Sequence, residues 1–414
     1  MTKPPTIILA GLGGYGMIYV AALLERPADG RFRLVAGVDP KPRNCGRLAE
    51  LSARGVPIYR SLQQFYRAGR ADLAVLSSPI HRHCLQTCLA LSQGSHVLCE
   101  KPAAATVQDV DRMIRARDRA GKHVAIGYQW SFSTPIQRLK QDILAGQFGA
   151  ARRLKSFCLW PRDEVYYHRN KWAGRLRDAR GAWVLDSPAN NAMAHDLHNM
   201  LYLLGPRTNA SAEPVDIVAE LYRANEIENF DTAALRVCTN SGAEVLFYGS
   251  HSIADDSGPE FCFEFERATV TYTAGQGPIV ARLNDGSIRE YGGPNDEPQV
   301  TKLWTCLACL ADNGTNPCGL EAARAQTLCA NGAQDSAGAP IDFPRELLRV
   351  KGTAPRRLVW VDGLAEVLRE CYVAGVLPSE AGIAWARAGR LVELRGYRYF
   401  PGGRHGQRGA PAPS

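Results

Sequence analysis

Thr6-Ile7-Ile8-Leu9-Ala10 runs straight into Gly11-Leu12-Gly13-Gly14-Tyr15-Gly16, and an apolar helical stretch, Met17–Glu25, follows at once. A glycine-rich turn is common, but G-x-G-x-x-G between a strand and a helix is informative. The first glycine permits the tight turn, the second lets backbone approach a pyrophosphate, and the third lets helix pack on strand. The helix N-terminus supplies amide donors and a positive dipole end. Gly11, Gly13, Gly14, Tyr15 and Gly16 are therefore the expected dinucleotide-binding loop. Asp39 ends the next predicted strand, 23 positions after Gly16. A carboxylate there accepts hydrogen bonds from ribose hydroxyls and repels a 2′-phosphate, which favours NAD over NADP. Lys41 and Arg43 stand beside it as cations within reach of a 2′-phosphate, so NADP stays open.

Outward from this junction, β-branched runs alternate with helical ones. Strands are predicted at Thr6–Ala10, Leu34–Val38, Leu73–Ser77, His96–Cys99 and His123–Gly127, with helices at Met17–Glu25, Asn44–Arg54, His83–Ser92 and Thr106–Ala120. Thr106 is placed to cap the last helix and Gly121 to stop it. This rhythm predicts a doubly wound parallel sheet over residues 1–130. Beyond it, helices are predicted at Pro135–Ala145 and Asn191–Leu204. Alternating runs then follow at Val215–Tyr222, Thr232–Thr239, Glu244–Gly249, Phe261–Glu266 and Thr269–Thr273, which read as an antiparallel sheet. Helices are predicted at Val300–Asp312, Leu320–Asp335, Gly363–Ala374 and Ser379–Ala388, and a strand near Leu391–Arg398. The expected organisation is a dinucleotide domain (1–130), an α+β domain with a large open sheet (131–345), an extension packed on the core (346–401) and a disordered tail (402–414).

Composition is that of a globular chain: 414 residues, 45% hydrophobic and 22% charged, with a formal net charge of +8. The basic excess is spread among acidic residues and lacks an aromatic-interleaved stripe, which argues against nucleic acid as a partner. No apolar run approaches the roughly 20 residues of a membrane span, and no secretory signal opens the chain. The 12 cysteines are scattered, which fits reduced thiols and a cytoplasmic chain. Cys306 and Cys309 form one C-x-x-C inside an apolar helical pattern and read as core, so no metal site is expected.

Two further segments narrow the reading. Ser78-Pro79-Ile80-His81-Arg82-His83 follows the strand Leu73–Ser77, and Glu100-Lys101-Pro102 follows His96–Cys99. With the glycine motif and a later histidine, they resemble the Gfo/Idh/MocA family (glucose–fructose oxidoreductase, inositol dehydrogenase, rhizopine catabolism). The resemblance runs from Thr6 to about residue 335. It implies a Rossmann domain followed by a domain whose open sheet covers the nicotinamide end and forms dimer or tetramer contacts. It implies that Ser78, Pro79, His83, Glu100 and Gln129 lie by the cofactor, although His83 at a helix start reads equally as a capping residue. It implies that Lys101 meets the substrate hydroxyl, and a lysine near a cationic ring has a lowered pKa.

The second expected centre is the segment Asp186-Ser187-Pro188-Ala189-Asn190-Asn191-Ala192-Met193-Ala194-His195. The family pattern is D-x-x-x-H at a helix start, which aligns Asn191 and His195 on one helical face. His195 is the expected general base. Asparagine in place of aspartate orients an imidazole without stabilising its charged form, which shifts proton handling toward Lys101. Trp160 to Trp183 concentrates aromatic and basic residues suited to a sugar-like ring, with Arg169, Trp172, Asn190 and Tyr128 as the expected substrate contacts. The implied reaction is hydride transfer between nicotinamide and a secondary hydroxyl of a sugar, cyclitol or derivative. Two alternatives stand beside it: an NAD-retaining lyase-like glycosidase using transient oxidation, and a non-catalytic dinucleotide-binding regulator.

Overall fold

A computed structural model describes residues 3–25, 31–312 and 314–402. The predicted tail, residues 403–414, lies outside them. Six parallel strands, β1 (Thr6–Ala10), β2 (Arg33–Val38), β3 (Ile58–Tyr59), β4 (Leu73–Leu76), β5 (His96–Cys99) and β6 (Val124–Ile126), lie in the order β3-β2-β1-β4-β5-β6. The order reverses between β1 and β4, and ligands bind outside the carboxyl ends of strands at such a switch point. β3 escaped the sequence reading because a two-residue strand carries no periodicity. Thr106 precedes the helix Val107–Ala120, but its hydroxyl donates to Asp109 (2.8 Å) and does not cap a backbone N–H. Gly121 ends that helix in the left-handed conformation, φ 60°.

The second sheet has ten strands among the described residues: β7 (Ala151–Leu159), β8 (Pro214–Arg223), β9 (Thr232–Thr239), β10 (Glu244–Ser250), β11 (Ser257–Phe265), β12 (Ala268–Thr273), β13 (Val280–Leu283), β14 (Ile288–Glu290), β15 (Ile341–Asp342) and, paired antiparallel with β8, Val392–Glu393. Its pairs are antiparallel except β7 with β10 and β8 with β15. β7 was not foreseen because Arg152, Arg153 and Lys155 interrupt its apolar pattern. Across the ladder Arg153 pairs with Glu244 (2.5 Å) and Lys155 with Glu264 (3.3 Å).

Period-two alternation sends the two faces of this sheet to different cores. On β10, Val245 and Phe247 join the core shared with the first sheet, while Leu246 and Tyr248 join a second cluster. That cluster also takes Phe157, Tyr222 and Ala234 from the sheet, and Phe343, Leu364, Leu368, Tyr372 and Ala386 from the C-terminal segment. The sheet is thus not open along β7 to β10. Its outer face, assigned by the resemblance to subunit contacts, is packed by the chain's own residues 343–386, including the helix Leu364–Ala374. Residues 379–388 are turns instead of the predicted helix: the Ser379 hydroxyl donates to buried Glu220 (2.5 Å), and Trp385 packs edge-on against Tyr222 (4.9 Å). Near Leu391–Arg398 only Val392–Glu393 is strand.

Candidate active site

The glycine loop is as tight as the motif requires. A Cβ on Gly11 (φ 87°) would lie 2.1 Å from the Ser77 carbonyl oxygen, and one on Gly16 would lie 2.0 Å from that of Gly11. Gly14, at φ 55°, faces open space. Among the described residues the N–H groups of Gly13, Gly14 and Tyr15 have no partner, as a pyrophosphate-binding turn needs. Asp39 is seated by the Leu12 N–H (2.9 Å) and the Lys41 N–H (2.7 Å), which fixes its carboxylate at the end of β2. Gly11, Gly13, Gly14 and Asp39 line a cleft of about 1070 Å³, together with Ser78, Pro79, Lys41, Arg60, Arg82, Arg169 and Trp172. The chain supplies a bare backbone turn, a ribose-facing carboxylate and several cations, and this set fits a dinucleotide. Arg43 does not line the cleft.

Two of the expected cofactor contacts have other duties. His83 is 1% exposed, with Nδ1 2.8 Å from the Pro102 carbonyl and Nε2 2.8 Å from that of Ser78. It ties the two active-site loops together and neither caps the helix nor faces the cleft. Glu100 is buried too. It accepts from the Tyr19 hydroxyl (2.6 Å), from Lys302 Nζ (2.5 Å) and from the Lys101 N–H (3.2 Å). Lys302 was missed; it is fully buried within an apolar helix, Thr301–Ala311, where no periodic signal separates it from a surface lysine. Its Nζ also lies 3.0 Å from the Tyr15 hydroxyl, which in turn reaches Gln129 (3.4 Å).

Lys101 stands at the carboxyl end of β5. Its Nζ donates to the Asn191 carbonyl (2.6 Å) and to Asn191 Oδ1 (3.2 Å). Burial, with the Lys302 and Arg169 cations adding, pulls its pKa down to about 8, against the Glu100 and Asp186 carboxylates. Asn191 and His195 do not share one α-helix as predicted. Asn191 lies in a wide π-type turn, Pro188–Ala192, and the α-helix begins afterwards at Ala194. His195 is held between the rings of Tyr128 (5.7 Å, edge-on) and Trp130 (6.2 Å), and its buried Nδ1 has no partner among the described residues. Burial, then the Lys101 and Lys302 charges, push it well below the usual histidine range, so its ring is neutral.

Of the expected substrate contacts, Tyr128 is fully buried; its hydroxyl donates to Gln326 (2.8 Å) and its ring stacks on His198 (3.8 Å). It is the wall behind His195. Asn190 is also core: its amide reaches the carbonyls of Val184 (3.4 Å) and Leu185 (3.2 Å). Arg169 and Trp172 do line the cleft, and the Arg169 guanidinium stacks 3.4 Å over Tyr166 and 5.6 Å over Trp172. Across the cleft His81 lies 3.6 Å from Asp178, so the loop carrying Arg169 to Arg180 reaches the first sheet's side.

Residues 6–128 match the family described as "Oxidoreductase family, NAD-binding Rossmann fold". Over these residues the chain is similar to the Gfo/Idh/MocA family. A 1-carboxy-3-chloro-3,4-dihydroxycyclohexa-1,5-diene dehydrogenase from Comamonas testosteroni is 30% identical over 250 residues, 59% of each chain. The rhizopine catabolism protein MocA of Rhizobium meliloti is 28% identical over 141 residues, 34% of this chain and 43% of that one. The matches thus span less than two thirds of these relatives' length. The WlbA dehydrogenase from Bordetella pertussis, solved with NADH and UDP-GlcNAcA, shares the fold at a TM-score of 0.66 and 22% identity, over 83% of this chain and 100% of that one. Aldose-aldose oxidoreductase from Caulobacter crescentus does so at 0.63 and 20%, over 80% and 98%. No helix among the described residues is long and apolar enough to cross a membrane.

Proposed function

We propose that this chain is an NAD-dependent oxidoreductase acting on a secondary hydroxyl, or the matching ketone, of a sugar, cyclitol or sugar derivative. The observation that carries the reading is Lys101 Nζ, held against Asn191 at the same strand-end edge that carries the glycine loop. Similarity to dehydrogenases of cyclic diols and inositols supports the substrate class. Bound in the cleft, the nicotinamide supplies the hydride acceptor or donor. Asp39 favours NAD, since a 2′-phosphate would meet its carboxylate.

Lys101 manages the proton. Two N–H bonds of a neutral amine donate to the two Asn191 oxygens, so the lone pair points away from Asn191 and accepts the substrate hydroxyl proton. A pKa near 8 makes that neutral form accessible close to neutral pH. Neutral His195 offers its ring as a hydrogen-bonding partner for the same hydroxyl, and Arg169 and Trp172 border the place where the rest of the substrate sits.

Mass spectrometry of the co-purifying nucleotide, then a sugar and cyclitol panel followed by reduced-nicotinamide absorbance, tests the reading. Lys101→Ala is expected to lower kcat about 10³-fold with dinucleotide binding retained. Unchanged turnover in that variant, or product formation with no net cofactor reduction, would overturn it.

A further inference from the structure

A carboxylate stands one side chain behind Asn191. Asn191 Nδ2 donates to Asp186 Oδ1 at 2.6 Å, while Asn191 Oδ1 faces Lys101 Nζ at 3.2 Å. Asp186 is 2% exposed, and its other oxygen accepts from the Gly174 N–H at 2.7 Å. The backbone is bent to deliver it. Leu185, just before it, has φ 52° and is the one non-glycine with positive φ among the described residues. Such a conformation costs on the order of 1 kcal/mol or more and persists only where surroundings hold it. Here Val184 and Leu185 N–H both donate to the Leu176 carbonyl (2.9 and 3.1 Å), Asp186 N–H donates to that of Arg175 (3.0 Å), and Asn229 holds the Asp186 carbonyl (3.0 Å).

We propose that Asp186 is a positioning residue for Lys101, acting through the Asn191 amide in place of a carboxylate at position 191 itself. A carboxylate only accepts hydrogen bonds, so it selects the amide orientation in which Nδ2 faces Asp186 and Oδ1 faces Lys101. That orientation fixes the direction of the Lys101 lone pair. It also sets an anion one amide away from the lysine, close enough to favour the ammonium without forming an ion pair. The other charged or titratable groups facing Lys101 are Glu100 on its own loop, Lys302 from the helix Thr301–Ala311, and Arg169 from the cleft loop. His83 faces it from the helix Ile80–Ser92, and His195 and Asp196 from the helix Ala194–Leu203. Glu100 and Asp186 pull the Lys101 pKa upward, and Asp196 shares a coulombic attraction with the same lysine.

The inference rests on the proposed role of Lys101, and its test reads that lysine with and without turnover. The pH dependence of Lys101 acetylation by acetic anhydride, traced by peptide mass spectrometry, gives its pKa with no substrate present. Asp186→Asn keeps a side-chain acceptor but removes the charge. Its Lys101 pKa should fall by about one unit, and the acid limb of kcat/KM for oxidation should move to lower pH with it. Its kcat should drop about tenfold, because the amide orientation is no longer enforced. Asn191→Asp alone sets two carboxylates side by side and should be slower still. The exchange Asp186→Asn with Asn191→Asp places the carboxylate directly on Lys101, and it should recover most of the turnover and raise the Lys101 pKa above that of the unaltered chain.

If Asp186→Asn fails to fold by circular dichroism, the exchange against Asn191→Asp carries the test alone. An unmoved Lys101 pKa in Asp186→Asn overturns the inference, as does an exchange no faster than Asn191→Asp. A shifted Lys101 pKa with no oxidation of any panel substrate supports the relay and counts against the proposed reaction instead.

Discussion

Two carboxylate–lysine pairs flank the same loop, and they are built differently. Glu100 meets Lys302 directly at 2.5 Å, with Tyr19 and the Lys101 N–H completing its shell. Asp186 reaches Lys101 only through the Asn191 amide. The direct pair locks both charges: its lysine is fully buried, spends its donors on Glu100, Tyr15 and the Gly127 carbonyl, and pins the helix Thr301–Ala311 to the end of β5. The spaced pair leaves its lysine with a free position and a pKa near 8. The proton transfer proposed for Lys101 needs a lysine held less tightly than Lys302, and one neutral amide between Asp186 and Lys101 leaves it so.

The largest expected break in this comparison is in stability. Lys302→Ala strands a buried carboxylate and should cost about 3–5 kcal/mol of unfolding free energy, while Lys101→Ala, whose partners are an amide and a carbonyl, should cost about 1 kcal/mol. Urea unfolding of the two variants measures both, and equal losses would erase the distinction. A smaller effect is the pH profile. If Lys101 takes the proton, the reaction needs its neutral form, present above about pH 8 and lost tenfold per unit below it. The acid limb of kcat/KM for oxidation should lie there. The smallest effect sharpens the sign: Arg169 lowers the Lys101 pKa, so Arg169→Gln should move that limb upward by less than about one unit, opposite to Asp186→Asn.

The outer face of the large sheet bears on the expected dimer or tetramer. Leu246 and Tyr248 on β10 and Phe157 on β7, which an open sheet would present to a second subunit, are already covered by Leu364, Leu368 and Tyr372. Light scattering of the full chain measures whether any association uses another surface.

Much of the first domain was legible because its signals are local. The glycine loop, Asp39 and the Glu100-Lys101-Pro102 turn each follow a strand within a few residues, so spacing alone places them at one sheet edge. Asn191 and His195 were legible as a pair, but their shared α-helix was not real. The turn Pro188–Ala192 is wide, and the α-helix starts after it, because Ser187 and Pro188 set a separate entry. The sequence reads Tyr128 and Asn190 as substrate contacts, because an aromatic and an amide near a site look alike whether they face the cleft or the core. Their partners, Gln326 and the Val184 and Leu185 carbonyls, show they face the core.

What the sequence determined by itself is the dinucleotide half: a strand, a glycine turn and a helix whose short-range sterics admit one geometry, as the 2.0 Å approach of a Gly16 Cβ to the Gly11 carbonyl oxygen illustrates. What only the tertiary structure decided is which charges meet. Glu100 and Lys302 are 202 residues apart, and Lys101 and Asn191 are 90. No periodicity links such positions, because ion pairing and burial depend on how two sheets pack. Asp186 stands five residues from Asn191 in the chain, yet its role appears only when a left-handed Leu185 turns it inward.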